Sequence, residues 1–238
     1  MNGTLDTIIM DGRETINEAV DIGSLGVVGN IVFNRKVDAQ EVEISGKAQF
    51  GSVITCDKLT VTGECSAKID VITQQIKVKH GRFAFYGKVY TDSLLSSGEV
   101  ISYDVIRSHR INLTKEAKMV ASGTVKADTV KVFGKIVSTT YLKSTELRIV
   151  SNQMSEIRSI ITDILLTKKT EDSNERRKSY VLTSDFVDCI EADLSCCQIG
   201  QLYCDSAIIR SGCVIDELVY MKEVEIEPGA VVERLVKA

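Results

Sequence analysis

The chain has 238 residues and a net charge of −4, with 44% hydrophobic and 26% charged residues. That hydrophobic share excludes a disordered chain, and the acidic balance excludes a strongly basic nucleic-acid-binding face. One proline, no tryptophan and 5% aromatics exclude a thick aromatic-filled core and suit a narrow one of Val, Ile and Leu.

Residues 1–24 read as an N-terminal cap or tail outside the repeat that follows. Thr4-Leu5-Asp6-Thr7-Ile8-Ile9-Met10 suits a first strand or a lid over the bottom of the stack. Asp6 and Asp11 flank its apolar centre and would repel an anionic membrane surface. No basic segment precedes an apolar run, and no apolar stretch approaches the ~20 residues that span a bilayer. The expectation is a cytoplasmic protein, with the inner face of the membrane as the second location.

Residues 25–167 carry the main signal. Gly29, Gly46, Gly63, Gly81 and Gly98 follow one another at intervals of 17, 17, 18 and 17 residues, and Gly134 lies 36 after Gly98. Glycines in fixed phase suggest a recurring turn with positive φ. Apolar residues keep the same phase: Val42 and Ile44 before Gly46, Leu59 and Val61 before Gly63, Val130 and Val132 before Gly134. Each is a strand-like alternation. A 17-residue period is too short for helical-pair repeats or propeller blades. It fits one coil of a β-helix, two or three short strands with tight corners, stacked in parallel at ~4.8 Å. The fold expected is all-β: a single-stranded β-helix, or β-solenoid, of roughly 12 coils from residue 25 onward.

Residues 168–179 form a charged exposed loop, and its cluster Arg176, Arg177 and Lys178 is a candidate partner-binding element. Residues 180–238 continue the β-helix in cysteine-rich coils. Cys213-Val214-Ile215 and Ala230-Val231-Val232 are offset by 17, as are Gly212 and Gly229. Whether residues 152–180 divide two stacks stays open.

Chemistry-bearing residues are sparse. Cys189, Cys196, Cys197, Cys204 and Cys213 lack a CxxC pair, and the 16-residue offset of Cys197 and Cys213 favours thiols stacked in the core over a metal site. His80 and His109, the only histidines, fall near coil corners. A hexapeptide-type acyltransferase would need such a histidine in a cleft, but only Ile226-Glu227-Pro228-Gly229-Ala230-Val231 resembles its repeat. Asp57, Asp92 and Asp128 recur in phase and suit corner residues that accept hydrogen bonds from backbone amides. No catalytic residue, cofactor or metal is expected.

The repeats Val37-Asp38-Ala39-Gln40-Glu41-Val42 and Val42-Glu43-Ile44-Ser45-Gly46-Lys47-Ala48 resemble those of the bactofilins, the bacterial polymer-forming cytoskeletal family, most strongly over residues 25–151. The resemblance implies a right-handed β-helix and nucleotide-independent, non-polar filaments joined through the ends of the rod. It also implies roles in cell shape, envelope organisation or motility. The partners it implies are the chain itself, a related bactofilin, or envelope and motility proteins.

An open solenoid end presents unpaired backbone and an apolar cross-section. The candidate polymer interface is therefore Val231, Val232, Leu235 and Val236 at one end, and Leu25, Val27, Val28 and Ile31 at the other if residues 1–24 do not cover them. The alternative is a non-polymerising solenoid adaptor that binds a protein along its side or its loop.

Overall fold

The computed structural model describes residues 6–170 and 180–238. The described residues form a parallel β-solenoid of about 13 turns without a helix. The strands are β1 (Thr7–Met10), β2 (Arg13–Ile16), β3 (Val20–Val27), β4 (Asn30–Phe33), β5 (Val37–Ile44), β6 (Lys47–Phe50) and β7 (Ile54–Val61). They continue as β8 (Glu64–Ala67), β9 (Val71–Val78), β10 (Arg82–Phe85), β11 (Val89–Ser96), β12 (Glu99–Ser102), β13 (Ile106–Leu113), β14 (Lys118–Ala121) and β15 (Val125–Val132). The last six are longer: β16 (Lys135–Ser151), β17 (Ser155–Lys169), β18 (Leu182–Leu194), β19 (Cys197–Ile209), β20 (Val214–Ile226) and β21 (Val231–Lys237).

One coil shows how sequence becomes shape. In β5 and β6 the buried residues come in three pairs: Val37 and Ala39, Val42 and Ile44, Ala48 and Phe50. Alternation turns each pair inward. The solvated residues Gln40 and Glu41 separate the first pair from the second. Ser45, Gly46 and Lys47 separate the second pair from the third, and three more residues close the coil. These pairs define a first, second and third face around a narrow core. Parallel pairing then puts like on like: Val37 on Ile54, Val42 on Leu59, Phe33 on Phe50. Buried apolar columns of this kind contribute roughly 1.5–3 kcal/mol per large side chain.

The outside of the third face follows the opposite rule. Identical charges stacked at strand spacing would repel, and from Lys47 to Lys118 the chain alternates them: Lys47 pairs with Glu64 at 2.8 Å, Arg82 with Glu99 at 3.1 Å, and Lys118 with Glu99 at 3.3 Å. Exposed pairs add little stability individually. Their effect is to keep coils in register.

The recurring glycines need a different explanation from positive φ. Among the described glycines only Gly12, Gly212 and Gly229 have it. Gly46 and Gly63 lie at the corner between second and third faces, where the chain passes directly over the previous coil. A Cβ on Gly46 would come under 3.0 Å from the carbonyl oxygens of Val28 and Gly29, and one on Gly63 would do the same to Gly46 and Ser45. Close approach of backbone to backbone, not handedness of the turn, selects glycine here. In the C-terminal coils the same corner is a tighter turn through Gly212 (φ 81°) and Gly229 (φ 88°).

The boundaries also shift. Residues expected to lie outside the repeat belong to it: Ile8 pairs with Leu25, Met10 with Val27 and Ile16 with Phe33. Thr7 to Ile16 thus supplies the second and third faces of a first coil, so the first strand expected over residues 4–10 is, from Thr7 on, part of the repeat rather than outside it. Lys168 and Lys169, expected in the charged loop, end β17 and pair with Val150 and Ser151. The pairing of β17 with both β16 and β18 makes one continuous stack. The described chain leaves β17 on the second face, where Thr167 pairs with Ile149, and resumes on the third face, where Leu182 pairs with Ser155. From β17 on, the corner between third and first faces is one residue shorter, as in Ile157 to Ile160 against Phe33 to Val37, and the strand runs on around the bend.

Candidate assembly surfaces at the two ends of the stack

At the C-terminal end, β21 pairs with β20 along one edge only among the described residues, Val231 on Val214 through Lys237 on Tyr220. Ile215 and Leu218 are fully buried beneath it. Register therefore aims Val232 and Leu235 at the axis, while Val231 and Val236 lie on the outer side of the strand. Leu235 is 48% exposed, and Val232 packs partly against the core. Of the four residues expected at this end, two face the cross-section and two flank it. Beside them, Tyr220 and Val224 of β20 are packed against the core from below, and Ile226 is 39% exposed.

The N-terminal end is a correction. Leu25, Val27 and Ile31 are fully buried, because β1 and β2 add a layer above them. Val28 is exposed, but at a corner on the flank. The apolar axis-facing residues of this end are Ile8, Met10 and Ile16 in the first coil, followed by Val20 and Ile22 on the first face. Sequence reasoning missed them, although Gly12 precedes Gly29 and Ile8 precedes Leu25 by the same period.

Arg176, Arg177 and Lys178 lie outside the described residues. The recurring aspartates stand on one corner, between first and second faces, with Gln74 and His109 between them in the intervening coils. Asp57 and Asp92 contact side chains rather than backbone amides: the Gln74 amide donates to Asp57 (3.0 Å), and His109 Nδ1 lies 3.5 Å from Asp92. The corner carbonyls are met instead by buried hydroxyls, with Thr73 donating to Asp57 O and Thr91 to Gln74 O, both at 3.1 Å. His80 sits on a different corner with φ 57°, 3.6 Å from Glu116. The two histidines are thus on separate edges, both largely exposed.

Six of the seven cysteines divide between two columns, and Cys196 stands at a corner with φ 54°. Cys56, Cys189 and Cys204 face inward on the first face, and Cys65, Cys197 and Cys213 on the third. Burial pushes the Cys56 thiol up to about 11, against a hydrogen bond from Thr73 that lowers it. It also raises Cys65 and Cys189. A thiol held protonated in this way is a poor nucleophile and a poor metal ligand. Within the stacked pair, the bond with Cys197 lowers Cys213 while burial raises Cys197.

Compared with known proteins, the chain matches no family model, no curated protein and no solved structure.

Proposed function

We propose that the chain is a structural, bactofilin-like cytoskeletal protein that assembles end to end into nucleotide-independent filaments or scaffolds in the cytoplasm, including at the inner face of the membrane. The observation that carries the reading is the C-terminal end of the stack. There β21 offers a strand edge without a partner among the described residues, with Leu235 aimed at the axis and half exposed. Such an edge templates another strand. The repeats resembling bactofilins supply the class of function.

Electron microscopy of the purified full chain in buffer without nucleotide tests it. Filaments or ribbons are expected. Leu235→Glu places a charge in the cross-section and should disperse them. A monodisperse short rod at high concentration overturns the reading.

A second reading, an adaptor that binds a protein along its flank, is favoured by Tyr86 and Tyr103. These rings stack at 4.5 Å on the outer surface, 52% and 48% exposed. Exposed aromatics of this kind anchor protein interfaces.

A further inference from the structure

The two described ends of the stack match each other in phase and in charge, and neither matches itself. β21 finishes on the first face, with Leu235 in register on Leu218 and Lys237 on Tyr220. The next strand along the winding path would lie on the second face, over Glu223–Ile226. In register, β1 is a second-face strand and β2 a third-face strand, since Ile8 pairs with Leu25 and Ile16 with Phe33. A second copy set on this end therefore continues the winding without a change of phase. Its β1 lies over the second-face part of β20. Its β2 lies over Ala230–Val232, and the first-face part of its β3 lies over Leu235–Lys237.

We propose that copies join head to tail, the β1–β2 end of one seated on the β20–β21 end of the next, so that the filament has a polarity. This rests on the end-on assembly proposed above and departs from the non-polar filament that the resemblance implies.

Charge decides the orientation. Glu14 pairs with Ile31, which is fully buried, so its carboxylate occupies an axis-facing position at the open end. Inward charges at a free edge block pairing with a like edge. Lys237 holds an axis-side position at the other end, its ammonium 5.8 Å from the Tyr220 ring centroid. Two N-terminal ends would place two Glu14 carboxylates in one cross-section, and two C-terminal ends two Lys237 ammonium groups. Only the head-to-tail junction sets opposite charges in one cross-section, and like-charge juxtaposition is an effective bar to wrong pairing.

The test uses the full chain with E14K and K237E made singly, each checked for a wild-type circular dichroism spectrum and melting temperature. Sedimentation measures the critical concentration for assembly. Each variant alone should assemble poorly, its critical concentration raised about tenfold or more. The two variants mixed in equal amounts should assemble as alternating copies. At one junction the introduced lysine of the E14K copy then shares a cross-section with the introduced glutamate of the K237E copy. At the next, the unaltered Lys237 of the first copy shares one with the unaltered Glu14 of the second. A folded E14K that assembles like wild type overturns the head-to-tail junction, as does an equimolar mixture that stays dispersed while wild type assembles. A wild type that never assembles instead removes the end-on reading itself.

Discussion

Phe33 and Phe50 lie face on face across neighbouring coils, ring centroids 4.9 Å apart and planes within 6°. The separation matches the strand spacing of a parallel sheet. Each ring fills the third-face column of its own coil and forms the floor of the next, so neither belongs to one repeat alone.

Phe50→Ala opens a cavity that the rigid coils above and below cannot close. A loss of about 3–5 kcal/mol is expected, read from urea unfolding. Phe50→Leu keeps most of the volume and should cost under about 1.5 kcal/mol. Equal losses from the two would show that the column does not depend on filling.

Two glycines in one stretch of chain predict opposite behaviour. Gly46→Ala drives a Cβ into the Val28 and Gly29 carbonyls of the coil below, and neither backbone can yield without separating the ladder. The expected cost is about 1–3 kcal/mol, the range of overpacked core substitutions. A Cβ at Gly51 meets nothing closer than the Phe33 carbonyl at 3.3 Å, so Gly51→Ala should change stability by less than about 1 kcal/mol. Thermal melts of the two variants side by side decide it; equal effects would show that close approach is not what selects Gly46.

The buried thiols make stability fall in alkali. Below pH 9.0, the ordinary value, Cys56 is protonated in both states. Above it the unfolded chain releases the proton while burial holds it in the folded one, up to about 11. The folded state binds more protons in that window, so stability drops with rising pH, by up to ~1.4 kcal/mol per unit for a fully buried group. Cys56→Ala should make the fall between pH 9 and 10.5 less steep than in wild type. An unchanged slope would place the alkaline loss elsewhere.

Much of this architecture was legible in one dimension. Parallel in-register stacking repeats the environment of each residue once per coil, so Gly46, Gly63 and their apolar neighbours record the period directly. The same logic hid what departs from it. Thr7 to Ile16 has the right phase, but an end coil is solvated on its open side and needs no full set of apolar residues. Val231 and Val236 look as apolar as Val232 and Leu235, and only the register on β20 separates those that face outward from those that face the axis.

The N-terminal and C-terminal edges return to the same distinction. By itself the sequence determined the coil, because hydrophobic alternation and corner chemistry act within about one period. Only the tertiary structure decided what the glycines are for and which residues form the ends. Close approach of Gly46 to Val28, burial of Leu25 under β1, and the placing of Glu14 and Lys237 at opposite ends depend on which coil lies above and which below. Composition does not record that relation; the winding of the chain creates it.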